Sequence, residues 1–448
     1  MLNVALKNTF RHGIHPPELK DDTSHLSIRR FPFAPMLIVP LSQHLGKPAV
    51  PVVRAGQEVV RGQVIAEPDG FMSVAMHAPA SGTVKKIALA PAIGGNMTEC
   101  VYIEPLPASS QEVDEGELCD LETATAGDII LAIQKAGVVG LGGAAFPTHV
   151  KLKPPEGKML DTLIVNGVEC EPYLTTDHRV MLEQTADVFM GVRYLLKATG
   201  AGEAIIAIEA NKPDAARKLE SECPDDLPVS VRVSPVKYPQ GAEKMVIRSL
   251  LGREVPSGGL PADVGAICVN VATTAEIGRL LPRGRGIQER VITIGGPAIG
   301  QKGNYRIPIG TPVRFALEQA GASSDIARVF LGGPMMGPSV SNLDIPITKG
   351  TSGITAFTNE QSARATGHHK VYPCIHCARC VEACPLFLNP SQLGILARSE
   401  EYERMADEFH LMDCFECGAC SYVCPSHIPL VQYFRLSKKM VRTLKAAS

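Results

Sequence analysis

The chain has 448 residues, of which 45% are hydrophobic and 20% charged, and its formal net charge at pH 7 is -2. That length predicts about three domains with cores of their own. The near-neutral balance excludes a global basic field, so no nucleic acid is expected as a partner. The 41 glycines and 35 prolines, beside only 5% aromatics, favour turns and short strands over long bundles. Five of the 13 cysteines (Cys100, Cys119, Cys170, Cys223, Cys268) are scattered, which suits a reducing compartment. No apolar run reaches the roughly 18 residues of a transmembrane helix. Met1 to Phe10 lacks the apolar centre of a signal peptide. The expected setting is soluble or peripheral, on the cytoplasmic side.

In chain order, residues 1–30 are polar and irregular. His12, His15, Pro16 and Pro17 lie close together. Histidines without fixed thiol or carboxylate partners are weak metal candidates, so this stretch reads as an arm packed on a neighbour. From Ala34 to about Glu104 the pattern is short strands: Pro51 to Ala66 alternates and turns at glycine, and Met76 to Val84 follows. This resembles the barrel-sandwich fold of lipoyl and biotinyl carrier domains. The corresponding hairpin tip, around Ala75-Met76-His77, has no lysine, so a docking or structural module without a swinging arm is expected.

Thr123 to about Arg285 alternates helix and strand. Asp128 to Gly137 reads as a helix closed by glycine, Leu160 to Asn166 and Gly202 to Glu209 as buried strands, and Pro213 as a helix start. The alternation predicts a three-layer, Rossmann-like α/β domain with a mostly parallel sheet. Ligands of such sheets bind at the carboxyl ends of the strands. Arg290 to Gly295, the helix Pro312 to Gly321 and Val329 to Gly332 resemble the soluble-ligand-binding β-grasp module, read as a spacer. Ser391 to His410 is helical by period, and a last helix follows Pro425. The predicted division is 1–122 barrel-sandwich with its arm, 123–285 α/β, 286–355 β-grasp and 356–448 cluster domain.

Three features carry chemistry. Gly140-Leu-Gly142-Gly143-Ala-Ala-Phe146-Pro-Thr148-His-Val-Lys151 lets backbone N–H groups approach a phosphate, with Lys151 adding positive charge. It is neither a Walker A loop nor G-x-G-x-x-G. Next, Asn166-Gly-Val-Glu169-Cys-Glu171-Pro172 sets two carboxylates at a strand's carboxyl end. They suit ribose hydroxyls, an amide or a flavin edge rather than bare phosphate. Finally, Cys374, Cys377, Cys380 and Cys384-Pro, then Cys414, Cys417, Cys420 and Cys424-Pro, both read C-x2-C-x2-C-x3-C-P. Zinc knuckles pair C-x2-C units instead. This spacing is that of two-cluster ferredoxins, in which the fourth cysteine serves the other cluster. The expected sets are therefore Cys374, Cys377, Cys380, Cys424 and Cys414, Cys417, Cys420, Cys384, each on a [4Fe–4S] cluster. On the last helix, Arg435, Lys438, Lys439 and Arg442 share one face, read as a strip for acidic partners or anionic headgroups.

The glycine loop resembles the flavin loop of the NADH-oxidising flavoprotein subunit of respiratory complex I. So do Asn166 to Pro172, Tyr238-Pro-Gln-Gly-Ala-Glu243 and Val269-Asn270 with Thr274. Ala145, His149, Tyr173, Ala242, Val271 and Thr273 depart from that pattern. The full order, with Ile14 to Pro17, Pro40 to His44 and Tyr422 to Leu436, resembles the C-subunit family of Rnf electron-transport complexes. The resemblance implies FMN and NADH as ligands: Gly140, Gly142, Gly143, Phe146, Thr148 and Lys151 at the FMN, Asn166, Asn270 and Thr274 around the flavin, and Glu169, Glu171 and Glu243 on ribose or nicotinamide. It also implies a peripheral subunit on the cytoplasmic face of the inner membrane, partnered by the other subunits of an Rnf-type complex and by a ferredoxin-like carrier. A microcompartment-type cobalamin reductase and a non-catalytic iron–sulfur wiring subunit are the alternatives.

Overall fold

The computed structural model describes residues 9–155, 157–360 and 370–447. Residues 1–8, most of the stretch that lacks a signal-peptide centre, lie outside them. The first strand, β1 (Ile28–Arg30), belongs to the arm. The barrel-sandwich unit has β2 (Leu37–Pro40), β3 (Val50–Pro51), β4 (Glu58–Val59), β5 (Val64–Glu67), β6 (Met76–His77), β7 (Gly82–Pro91) and β8 (Met97–Pro105). They form two antiparallel sheets, β2-β8-β7-β4 and β3-β5-β6, over a core that includes Val39, Ile65, Met76, Val84 and Ile103. Ala75, Met76 and His77 are no projecting tip. All three are buried. The Ala75 N–H donates to the Gln134 carbonyl, and the Ala75 carbonyl accepts from Lys349 Nζ at 2.7 Å. The carrier tip has become a contact between domains.

The α/β unit opens with α1 (Ala126–Lys135), started by a Thr125/Asp128 capping box and followed by Gly137 at φ +71°. Then come α2 (Thr148–Lys151), β9 (Thr162–Gly167), α3 (Thr176–Glu183), α4 (Thr185–Thr199), β10 (Glu203–Glu209), α5 (Pro213–Ser221), β11 (Val229–Ser234), α6 (Glu243–Leu251), β12 (Ala266–Asn270) and α7 (Val271–Leu280). The strands lie in the order β11-β10-β9-β12, all parallel. Their near-continuous apolar runs, such as Leu163-Ile164-Val165, follow from burial on both faces. The chain grows from β9 through β10 to β11, then returns to set β12 on the opposite side of β9. The gap between the carboxyl ends of β9 and β12 is thus the switch point where such sheets bind ligands, and there Asn166 pairs with Asn270.

The β-grasp sheet runs β1-β14-β13-β17-β15-β16, with β13 (Glu289–Gly295), β14 (Gly303–Pro308), β15 (Ile326–Leu331), β16 (Ser339–Val340), β17 (Gly353–Thr358) and the helix α8 (Val313–Gln319). The arm is therefore more than a packed loop, because Ile28–Arg30 joins this sheet parallel to β14. The cluster domain is helical around Leu388, Leu393, Met405, Leu411 and Phe434. The helix read from Ser391 to His410 is two, Pro390–Arg398 and Tyr402–Asp407, broken where Glu400 takes φ +58°.

Candidate cofactor sites

The glycine loop stands at the switch point. Its neck is closed by Gly140 N–H on the Phe146 carbonyl at 2.8 Å and by the Val139–Pro147 bridge. Behind the neck, Leu141 N–H donates to Thr273 Oγ1 at 2.9 Å and the buried Arg290 donates through Nη2 to the Leu141 carbonyl at 3.0 Å. A Cβ on Gly142 would stand 3.1 Å from the Asn270 side chain, so the loop lies directly on β12's last residue. Gly143, at φ +141°, has open space where a side chain would be, and Gly142 to Ala144 are exposed. Phe146 is half-buried at the neck. Thr148, buried at the start of α2, has a hydroxyl with no partner. At the end of α2, Lys151 is ion-paired with Glu243, the first residue of α6. An open glycine backbone, a cation at its end and an orphaned buried hydroxyl fit a phosphate-bearing group such as FMN.

Other predicted residues hold the frame. Asn166 Nδ2 donates to the Gly241 carbonyl at 2.8 Å. Asn270 Oδ1 caps α7, accepting from Ala272 and Thr273 N–H. Thr274 donates to the Asn270 carbonyl and is fully buried under α4, where a Cβ on Gly191 would clash with the Thr274 carbonyl at 1.9 Å. The two acidic residues, expected to face a ligand, have other partners. Glu169 is buried and accepts from Asp177 and His178 N–H, a carboxylate on the first turn of α3. Glu171 accepts from Met335 N–H at 3.2 Å and Met336 N–H at 2.7 Å, in the β-grasp unit. Desolvation pushes the Glu171 carboxyl up to about 7 against the pull of those two donors. The β-grasp unit is therefore not a mere spacer: Arg290 and Met335-Met336 brace the loop and the acidic turn.

Sequence reasoning missed Asp177. Asn270 Nδ2 donates to its Oδ2 at 2.8 Å, which sets this carboxylate two contacts from Gly142. By surface area Asp177 is only half-buried, yet protein crowds its carboxylate. Desolvation first, and the Glu169 charge second, push it up to about 7. Nothing in the local pattern Thr-Thr-Asp-His marks it, because its neighbour lies at the end of another strand.

The two cysteine runs fold alike. Left-handed φ values fall at His376, Ala378 and Phe387 in the first and at Glu416, Gly418 and His427 in the second, the same register each time. In both, a backbone N–H donates to the first sulfur at 3.4 Å, from His376 to Cys374 and from Glu416 to Cys414. A cavity of about 50 Å³ is lined by Cys374, Cys377, Cys380 and Cys424. Burial raises the Cys380 thiol, with the largest thiol repulsion coming from Cys424. Burial pushes Cys417 up to about 12, and its thiol neighbours are Cys414 and Cys384. Burial raises the Cys420 thiol as well, with Cys414, Cys417 and Cys384 as its leading thiol neighbours and Cys380 of the other run behind them. Each fourth cysteine thus lies with the other run's three, and eight thiols in two groups of four fit two cubanes. The groups differ in setting. Tyr238 of the α/β unit, buried, donates through its hydroxyl to the Cys417 carbonyl at 2.6 Å, whereas Cys377 is exposed.

Family models match four stretches: the Nuo51 FMN-binding domain at 133–279, the RnfC barrel sandwich hybrid domain at 8–106, the SLBB domain at 291–339 and a 4Fe-4S dicluster domain at 373–428. The C subunit of the proton-translocating ferredoxin:NAD(+) oxidoreductase complex of Clostridium ljungdahlii is 42% identical, covering 96% of this chain and 93% of that one. Its Na(+)-translocating counterpart from Acetobacterium woodii is 40% identical over 97% of each. The C subunit of the ion-translocating oxidoreductase complex of Haemophilus influenzae strain 86-028NP is 38% identical, covering 97% of this chain and 65% of its own longer one. The solved structure of NAD+-reducing [NiFe]-hydrogenase in its air-oxidised state aligns at TM-score 0.49 and 20% identity, over 74% of this chain and 68% of that one.

Proposed function

The chain belongs to the family of C subunits of ion-translocating ferredoxin:NAD(+) oxidoreductase complexes, and we propose that it passes electrons between NADH and ferredoxin-linked carriers through FMN and two [4Fe–4S] clusters while partner subunits translocate the ion. Among the described residues no helix is long and apolar enough to cross a membrane. A peripheral place on the cytoplasmic face, held by the complex's other subunits, agrees with this.

FMN, when bound, accepts a hydride and yields electrons singly, which joins a two-electron donor to one-electron clusters. In this reading Gly142 and Gly143 present backbone N–H groups to its phosphate, while Gly140, its own N–H held by the Phe146 carbonyl, closes the neck with Phe146 and Thr148. Lys151, aimed by Glu243, adds the charge. Asn166, Asn270 and Thr274 fix the paired strand ends on which the loop rests and would support the flavin from there. Glu169 and Glu171 act through the backbone they fasten, while Glu243, beside Lys151, and Asp177, beside Asn270, orient the ribose or nicotinamide of NADH. Hydride transfer calls on position and not on a general base.

The observation that carries this reading is the open glycine loop at the sheet's switch point, with a paired lysine at its end. The test is to strip the flavin, titrate with FMN by fluorescence quenching, then add NADH without oxygen and follow bleaching of the flavin band. Lys151→Met is expected to weaken FMN by about tenfold or more, the scale of a charge-assisted hydrogen bond. Unchanged affinity would make the loop a structural turn.

A further inference from the structure

A second cavity, of about 280 Å³, lies over the carboxyl ends of β9, β10 and β11, on the side of β9 away from β12 and the glycine loop. Cys170, Glu209 and Val236 lie at or just beyond the ends of those three strands and form part of its wall, with Asn211, Lys237 and Tyr238 beside them and the arm from His15 to Lys20 facing them. Glu209 is only 1% exposed. Its Oε2 is paired with Lys212 Nζ at 3.0 Å, and its Oε1 has no partner. A buried carboxylate oxygen without a donor is costly, and a ligand hydroxyl would satisfy it.

The place of this oxygen is specific. Glu209 is the last residue of β10, the second strand of the sheet in chain order. In nucleotide-binding sheets an acidic side chain serving the first half of the sheet accepts from a ribose hydroxyl. Lys20 and Lys237 line the same cavity and offer ammonium groups. Lys20 Nζ also holds the Glu171 and Leu174 carbonyls, and Lys237 Nζ holds the Phe10 carbonyl, so both heads are positioned before a ligand arrives. A simple anion would meet Glu209 and Glu18 in the same wall. A ligand with a hydroxyl donor and an anionic group meets both needs.

We propose that this cavity binds a nucleoside 5′-phosphate, with a ribose hydroxyl donating to Glu209 Oε1 and the phosphate taken by Lys20 and Lys237. The proposal rests on the parallel sheet and not on NADH oxidation. The same chemistry has two sources, the adenosine end of NADH or a free adenine nucleotide.

The test uses the full chain saturated with FMN, so that the glycine loop is filled, and 5′-AMP as the probe in calorimetric titration. Wild type is expected to bind. Glu209→Gln should bind about tenfold more weakly. The 2′,3′-dideoxy analogue should lose as much on wild type and lose nothing more on the variant. Val236→Phe fills the cavity from a residue that takes no part in the Glu209–Lys212 pair and should abolish binding. It decides alone if the Glu209 variant does not fold. No AMP binding by wild type, or undiminished binding by Val236→Phe, would overturn the proposal. Displacement of AMP by NADH, with a raised KM for NADH in Val236→Phe, assigns the site to the dinucleotide. Simultaneous binding of the two assigns it to a free nucleotide. Both outcomes support the site. Because AMP binding is read without flavin reduction, a failure here is distinct from a failure of NADH oxidation.

Discussion

Ala145 and Tyr173 stand where the flavoprotein pattern has glycine, and both keep a glycine's backbone, at φ +48° and +70°. A left-handed L-residue costs about 1–2 kcal/mol, and glycine returns about 0.4–1 of that through the unfolded chain. Ala145→Gly should therefore raise stability by about 0.5–1 kcal/mol in denaturant unfolding. Tyr173→Gly relieves the same strain but loses an edge-on contact with Phe357, ring centroids 5.6 Å apart, and should lower stability by about 1–2 kcal/mol. Equal shifts at the two sites would mean that φ strain is not what separates them. Asp177 gives a pH prediction. Its folded value of about 7 lies above its ordinary 3.8. Between the two the folded state holds the extra proton, so the stabilisation is whole below about pH 4, is lost as pH rises to about 7, and stays lost above that. Asp177→Asn should gain melting temperature over wild type progressively across that window and hold a constant lead beyond it. A lead that is the same at about pH 5 and about pH 8 would place this carboxylate in open solvent.

At the scale of elements, what was legible was what local pattern decides. Spacing alone called for two cysteine loops, and the repeated left-handed residues, His376 and Ala378 against Glu416 and Gly418, are the backbone form of that repeat. The glycine loop, β9 and β10 were legible because turn residues and apolar runs are local signals. The direction of Glu169 and Glu171 was not, because it is set by the first turn of α3 and by a β-grasp turn far along the chain. Nor was the true partner of Thr273, which departs from the family pattern yet anchors Leu141. The last helix, Leu430–Ala447, shows the same limit. Its basic face reads as one strip, but Arg435 and Lys438 both bind Glu416, and Lys438 also donates to the Cys414 carbonyl. Only Lys439 and Arg442 of the four are exposed. Lys438→Met should cost about 1.5–3 kcal/mol, the scale of hydrogen bonds to a charged group. Lys439→Gln with Arg442→Gln should change stability by less than about 0.5 kcal/mol. The double variant should still wash from membranes at lower salt, since each such charge contributes about 1 kcal/mol near an anionic surface. Unchanged extraction would make this face solvent-facing only.

At the scale of the molecule, three units converge behind one loop. Lys349 of the β-grasp unit joins Ala75 of the barrel-sandwich to Gly137 of the α/β unit, with Nζ 2.7 and 2.8 Å from their carbonyls. Gly350 beside it stands against Ala145 of the glycine loop. The cluster domain docks where Ile14, Tyr238, Ala383 and Ala419 share a small apolar core. This arrangement ranks the two cysteine groups. The group of Cys414, Cys417, Cys420 and Cys384 meets the α/β unit through Tyr238, and the group of Cys374, Cys377, Cys380 and Cys424 includes the exposed Cys377. Electrons from the flavin side should reach the inner group first and leave through the outer. Cys377→Ala should then leave NADH-driven reduction of the inner cluster intact, read by low-temperature EPR after rapid freezing, while delivery to an external ferredoxin falls. Cys384→Ala should block reduction of the outer cluster by NADH but leave that cluster reducible by a chemical reductant added directly. The opposite pattern, with the outer cluster still reduced by NADH in Cys384→Ala, would reverse the order, and loss of the Cys374 group's own spectrum in that variant would undo the crossed sharing of fourth ligands.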